Sequence, residues 1–474
     1  MDVITVDAGM WWESVPSHRR WCIMRVLLQL RPSPDVVAAV ADPVVSTPAA
    51  DVADTLPGVV LDPSFAPVVV PRPVPGGGDP LSLNQPLTFS MAAREASVVV
   101  RGEISDDEIS TRVTLLPALR PEVVGVFADP VIGPNLTCGG DPPVGDWHDV
   151  ERLLRVAELA EEGLDGTGVA VAVLDTGINA RHVTRQLDRE VNLDAERSWS
   201  PAGVDGGAGE FAVDHGTMCA FDALIAAPRA SLIDVPVLLS RRPGGSALDG
   251  LLSDAVAAFA HLRTVLAERP AESRSLVISN SWGSFSPLWD FPVGHPGNYS
   301  DNPAHPFNLI VSSLDRAGAD VLFAAGNCGR DCRDSRCAYP DRPIAGANSH
   351  PDVLSVGGVD VRGERVGYSS QGPGRLTARK PDICCYTHFS GSRAFGDREP
   401  DSGTSAACPV AAGLVAAVRT LWPSSRLSPA QLRTLLRRTA DDRSDVGFDD
   451  DYGYGIVDTR ALLASLRRRA RRVA

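Results

Sequence analysis

No apolar run in this 474-residue chain approaches the ~20 residues that a helix needs to cross a bilayer, which sets an integral membrane protein aside. An excess of positive charge is missing too. Forty-five Lys and Arg stand against 59 Asp and Glu, a net charge of -14 that opposes phosphate backbones and anionic lipid surfaces; neither nucleic acid nor membrane is an expected partner. The one basic cluster, RRRARR at 467 to 472, follows the last predicted helix and reads as a solvated tail. An export signal is poorly formed. Arg19 and Arg20 precede WCIMRVLLQL, but Arg25 interrupts the apolar stretch and no convincing small-residue cleavage site follows. A regular disulfide framework is also lacking, because the nine cysteines are odd in number and include the adjacent pair Cys384 and Cys385. These features favour a reducing cytoplasm, with secretion as the alternative.

What is present is a chain rich in buried-type residues, 44% hydrophobic and 22% charged, long enough for two domains. Residues 72 to 88 and 133 to 146 are rich in Pro and Gly and read as linkers. Beyond an uncertain extension over 1–23, residues 24–132 fall into two halves. RVLLQL, SPDVVAAVADPV and VVLDPSFAPVVV form one; SVVVRGEI, SDDEISTRVTLLPAL and VVGVFADPVI form the other. Each half reads strand, helix, strand, which predicts a small α+β domain of ferredoxin-like arrangement. Over 147–460, the strand-like runs GVAVAVLD, SLIDVPVLL, SLVISNS, DVLFAAGN and DVLSVGG alternate with helical stretches. That alternation predicts an α/β fold with a doubly wound, mostly parallel sheet, ahead of a basic tail over 461–474.

Ligands of such sheets bind beyond the carboxyl ends of the strands, where several polar residues fall. Asp175 ends GVAVAVLD, Ser281 ends SLVISNS and Asn327 ends VLFAAGN, while His215 and Ser405 open two helical stretches. A serine hydroxyl attacks only when a base takes its proton, and a third group must hold that base in the right tautomer. Ser405, His215 and Asp175 can supply nucleophile, base and orienting carboxylate. Asn327 can add a side-chain donor to the Ser405 backbone N–H, giving an oxyanion hole. Each residue also has a bland reading singly: Asp175 as a turn former, Ser405 as an N-cap, Asn327 as a positive-φ turn residue. Pro409 is expected early enough in its helix for the missing N–H to be harmless.

Taken together, VLDTGI around Asp175, HGTMCA around His215, AAGN ending at Asn327 and SGTSAACP around Ser405 resemble the signature blocks of the subtilisin family of serine proteases (subtilases, peptidase family S8), in that family's chain order. His182 lies where such proteins often carry a histidine, ISNSWG at 278 to 283 is similar to their substrate-binding strand, and YGYGIVD at 452 to 458 to their C-terminal Gly-rich turn. The resemblance implies a serine endopeptidase working through an acyl-enzyme, with Asp175, His215 and Ser405 catalytic and Asn327 in the oxyanion hole. It implies that substrate adds as a strand along Ser281, Trp282 and Gly283, and that an S1 pocket lies between these and Ala325 and Gly326, with apolar or broad preference. It further implies that 24–132 is a propeptide-type domain acting as intramolecular inhibitor and cleaved in 133–146, making the protein an autoprocessed zymogen. The rival readings are a catalytically silent binding protein and a protease dedicated to one partner.

Ala406 and Val410 stand where the family usually has Met and His, which should alter packing behind the nucleophile more than chemistry. The short turn after the His215 helix implies that the family's calcium loop is missing, so no cofactor and no metal are expected, with a structural calcium as the alternative; Asp449 to Asp451 read as a solvated run. In CGRDCRDSRC, free thiols at Cys328, Cys332 and Cys337 are favoured over a local disulfide, with zinc least expected. Cys219 and Cys408 should pack as small apolar thiols.

Overall fold

The computed structural model describes residues 23–42, 47–53, 56–71, 96–105, 115–134, 137, 141–239, 250–333, 336–443 and 447–473. The predicted linker 72–88 lies outside these residues, as does part of 133–146.

The N-terminal portion holds strands β1 (Ile23–Leu30), β2 (Val59–Leu61), β3 (Val68–Pro71), β4 (Ala96–Ser105) and β5 (Val123–Ala128) in one five-stranded sheet. Its order is β2-β4-β1-β5, with β3 also paired to β4, and every pair is antiparallel. The apolar stretch that superficially suggests an export signal is therefore spent as β1, its Val26, Leu27, Leu28 and Leu30 all buried. The helix Pro34–Ala41 begins with proline in its first turn, where a missing N–H costs nothing.

A two-residue strand, β6 (Val131–Ile132), leads out of this sheet toward the second domain. There, β7 (Ala170–Leu174), β8 (Asn192–Leu193), β9 (Ser231–Val235), β11 (Leu276–Asn280), β12 (Ala319–Ala324), β13 (Leu354–Val359) and β14 (Ile383–Tyr386) form a seven-stranded sheet; β10 (Gly250–Leu251) pairs instead with β6. The large sheet runs β14-β13-β12-β11-β7-β9-β8 with every neighbour parallel. Strands β7, β11, β12, β13 and β14 are buried along their whole length, which is why they read as continuous apolar runs rather than alternating ones. One face packs on the helices His215–Ala226 and Thr404–Arg419, the other on Leu252–Ala267 and Pro306–Ala317.

Two approaches set the depth of the catalytic helices. A Cβ on Gly413 would stand 2.2 Å from the Ala223 carbonyl, so only glycine lets the Thr404–Arg419 and His215–Ala226 helices meet there. At the far end of the first helix, fully buried Arg419 forms a two-point ion pair with Asp320 of β12. A guanidinium matches a carboxylate in this geometry, and the pair fixes the helix along its own axis.

The small sheet packs its Leu27, Phe65, Val68, Val99 and Phe127 into the same core as the Leu252–Ala267 and Pro306–Ala317 helices. Polar contacts register the two domains. Asp129 accepts from the Ser253 backbone N–H at 2.7 Å and the Ser253 hydroxyl at 2.8 Å, binding the N-terminal turn of a helix in the other domain. His305 takes Phe307 N–H at Nδ1, so its Nε2 donates to the Ala128 carbonyl at 2.9 Å. Arg101 bridges Asp62 and Asp254.

At the other end of the chain, the basic run is solvated at Arg467, Arg468 and Arg471 but is helical and not a tail. Arg467 to Arg471 belong to the helix Thr459–Val473, whose Leu462, Leu463 and Leu466 are buried. Arginine is a good helix former, and Arg467 pairs with Glu162.

Candidate active site

Asp175 follows β7 directly, and its backbone N–H bonds the carbonyl of Val235 on the neighbouring strand β9. Its carboxylate Oδ1 lies 2.7 Å from His215 Nδ1 and also accepts the Thr176 N–H at 2.8 Å. Thr176 in turn receives the Gly216 N–H on its hydroxyl at 2.9 Å. The DTG and HG blocks are thus stitched together, and Gly216 has to be glycine: a Cβ there would lie 2.6 Å from the Gly177 carbonyl. Asp214 caps the His215 helix, accepting the His215 N–H at 2.8 Å.

Burial works against a charged imidazole at His215, but the adjacent Asp175 carboxylate and its hydrogen bond win, and the pKa is raised above its ordinary 6.5. The other ring nitrogen, Nε2, is buried and makes no hydrogen bond among the described residues. An imidazole held by a carboxylate on one nitrogen, with the other left without a bond, is arranged to take a proton.

Ser405 is the second residue of its helix. Its hydroxyl donates to the Ser281 carbonyl at 3.4 Å, and Ser281 Oγ donates back to the Ser405 carbonyl at 3.0 Å. Pro409 explains this exchange and corrects the expectation that it sits harmlessly at the helix start. It is the sixth helical residue, and the N–H it lacks is the one that would have bonded to the Ser405 carbonyl. Ser281 and the Cys219 thiol, 3.5 Å away, surround that carbonyl instead. The proline therefore ties the helix start to the end of β11.

Asn327 is fully buried, and its Oδ1 accepts both the Thr404 N–H at 2.9 Å and the Thr404 hydroxyl at 3.0 Å. With the oxygen so engaged, Nδ2 lies beside Gly403; a Cβ there would meet it at 2.7 Å and the Ser405 N at 3.3 Å. Thr404 also accepts the Gly326 N–H, at 3.0 Å. This orienting threonine was not singled out in the sequence, although its place beside Ser405 was the available signal.

Ser281, Trp282 and Gly283 continue from β11, and Ala325 and Gly326 from β12. Asn348 ties these two segments, its Nδ2 donating to Trp282 O at 2.8 Å and Ala324 O at 2.9 Å. The Trp282 indole is buried against Phe307 and Phe323. His182 is bonded through Nε2 to the Ser392 carbonyl.

Cys219 does more than pack. Its sulfur lies 3.5 Å from Asp175 Oδ2 and 3.8 Å from His215 Nδ1, so these three residues could together hold a metal ion. Burial, and next the Asp175 charge, push its thiol well above the ordinary value, so without a cation beside it the thiol is protonated. Cys408 is a buried free thiol, as expected. The expectation of free thiols beyond Asn327 is overturned: Cys328 and Cys337 form a disulfide, and Cys332 is disulfide-bonded as well. The spacing alone could not show that the loop folds back on itself. Only residues 227 to 230 separate the His215 helix from β9, the short turn foreseen, and Asp449 serves as a turn former for Asp451 and Tyr452.

The groove is not bare. Gly133, just past β6, pairs antiparallel with Gly283: its N–H donates to Gly283 O at 3.1 Å, and Gly283 N–H donates back at 3.0 Å. On its other side the same segment pairs with β10. The model of the subtilase family matches residues 166–455, more than half of the chain. The chain belongs to the subtilase family. Subtilisin DY of Bacillus licheniformis is 26% identical over 319 residues, 65% of this chain and 96% of that protein. Subtilisin BL of Lederbergia lenta is 29% identical over 306 residues, covering 63% and 92% of the two chains. Mycosin-1 of Mycobacterium tuberculosis is 27% identical over 378 residues, covering 73% and 80%. As a subtilase the chain is a hydrolase of the serine-protease type. No helix among the described residues is long and apolar enough to cross a membrane.

Proposed function

We propose that this subtilase is a serine endopeptidase made as a zymogen. Ser405 attacks the peptide carbonyl while His215 Nε2 takes its proton. Asp175 holds the imidazole through Nδ1 and stabilises its charged form. Asn327 Nδ2 and the Ser405 N–H receive the developing oxyanion, and the protonated His215 then returns its proton to the leaving amine, giving an acyl-enzyme that water hydrolyses. Residues 24–132 act as the intramolecular inhibitor, for which the strand order β2-β4-β1-β5, consistent with a ferredoxin-like arrangement, is support. Peptide and protein chains are the substrates. No cofactor is required by these steps, and the disulfide favours an oxidising compartment over the cytoplasm first expected.

The observation that carries this reading is Gly133 seated on Gly283. Substrate recognition by strand addition uses such main-chain pairing, so the segment stands in for a bound peptide. An antiparallel register advances one residue on one strand as it retreats one on the other. Ser281, two residues before Gly283, holds Ser405 Oγ on its carbonyl, so a peptide paired as Gly133 is runs toward the nucleophile. This direction of the paired chain supports cleavage within the linker 133–146, of which residues 135 and 136 lie outside the described residues.

A fluorophosphonate probe should label the wild-type chain and leave Ser405→Ala unlabelled. Intact-mass measurement should show a new N-terminus within 133–146 in the wild type and an unshortened Ser405→Ala chain. Labelling that survives the substitution would remove Ser405 from the mechanism, and self-shortening of the substituted chain would end the zymogen reading.

A further inference from the structure

We propose that Arg336, carried on the disulfide-closed loop Cys328–Cys337, is a substrate-binding residue that grips the peptide main chain one position nearer the nucleophile than the Gly283 pairing does. The inference rests on reading the 131–134 segment as a stand-in for substrate.

The segment meets partners along its length. Val131 and Ile132 pair with β10, and Gly133 with Gly283. The next residue, Pro134, has no N–H, so its carbonyl is the sole main-chain handle it offers. Arg336 Nη2 donates to that carbonyl at 2.5 Å. A bond from a charged donor to a main-chain oxygen is stronger than an amide pairing, and it reads backbone rather than side chain. The grip therefore suits any extended peptide, and it tolerates proline at the one position where strand pairing gains nothing from an N–H.

The loop is built to hold the guanidinium in place. The disulfide joins Cys328, the residue directly after Asn327, to Cys337, the residue directly after Arg336. Its Cys337 end is fixed to the substrate side of the groove, with Ala338 N–H donating to the Phe285 carbonyl at 3.1 Å. Phe285 packs with both half-cystines, and the Arg336 guanidinium lies over its ring, 5.8 Å from the centroid. The Cys328 end is fixed by its N–H on Ser370 Oγ at 2.9 Å. One covalent closure thus links the oxyanion residue, the segment after Gly283 and the arginine. The arginine needs little ordering when a chain arrives, which is where a flexible side chain loses most of its binding energy.

The test uses the full chain carrying Ser405→Ala, so that processing cannot remove the docked segment, and follows amide hydrogen exchange at Gly133 and Gly283. Adding Arg336→Ala should speed exchange at both amides by roughly ten-fold or more, the loss of one charge-assisted hydrogen bond. Amides of β11 and β12 should keep their rates, which shows that the variant folds. Arg336→Lys should recover part of the protection, and reduction of the disulfide by a dithiol, giving two thiols and the oxidised reagent, should reproduce the loss. Unchanged exchange at Gly133 and Gly283 in both the Arg336→Ala and the reduced proteins overturns the proposal. If Arg336→Ala disturbs the sheet amides as well, the lysine variant and the reduced protein decide. Failure of the serine-protease reading would show separately, as absence of fluorophosphonate labelling in the wild type.

Discussion

His215 shows how one pair of atoms sets the working range. Its pKa lies above 6.5 because Asp175 outweighs the penalty of burial. For an imidazole raised on folding, the pair's contribution to stability is full below the ordinary value and is lost as pH rises through the folded one. Catalysis needs the opposite form, the neutral ring that can accept a proton. The two demands divide the pH scale between them. A pH profile of kcat/KM on a small ester should therefore rise with pH, its acid limb centred above 6.5. A limb centred at or below 6.5 would contradict the dominance of the Asp175 contact. The neighbouring Cys219 thiol, pushed upward by burial and next by the same carboxylate, stays neutral and adds no charge to the balance.

Among elements, the contact between the His215 helix and the loop before Ser405 carries an unusual burden. Asp222 is fully buried on that helix, and Asp401, also buried, receives the N–H and hydroxyl of Ser392. Burial, and next the charge of Asp401, push Asp222 well above its ordinary range, while burial raises Asp401 to about 6. Carboxyl groups raised on folding favour the compact state at low pH, and that contribution disappears as pH rises through about 6 for Asp401. Asp222→Asn removes one charge from the pair. In a Ser405→Ala background, urea unfolding of the parent should weaken between pH 5 and pH 8 by on the order of 2 kcal/mol, and Asp222→Asn should flatten that fall by at least half. An equally steep fall in both proteins would show that Asp222 contributes nothing to it. Nothing in the sequence pointed to this pair, because its members are 179 positions apart and neither belongs to a signature block.

Over the whole molecule, the two domains meet through buried charge as well as apolar surface. Arg101 of β4 reaches Asp62 within its own domain and Asp254 and the Ser253 hydroxyl across the junction, while Asp129 binds the Ser253 N–H. Removing one partner of such a network leaves the others charged and desolvated. Arg101→Ala should destabilise docking of the N-terminal domain by about 3–5 kcal/mol. The sensitive reporter is hydrogen exchange at the Ser253 amide in the Ser405→Ala chain, with β12 amides as the folded control. A Ser253 amide that exchanges no faster in the variant would sink the idea that this network holds the domains together.

The chain's own order of residues determined the parallel sheet, because β7, β11, β12 and β13 are buried on both faces and are mostly apolar along their length, and it placed Asp175, Ser281 and Asn327 at or just past strand ends. It also marked His215 and Ser405 at helix starts, since short local blocks carry cap and turn chemistry. Contacts between distant segments were decided only by folding. The pairing of Gly133 with Gly283, the closing of Cys328 on Cys337 and the reach of Arg336 to Pro134 all depend on how far apart two loops stand after the sheet and its helices have packed. Local residue pattern carries no such distance. A main-chain partner leaves no side-chain signature to read, because every residue except proline offers the same N–H and C=O.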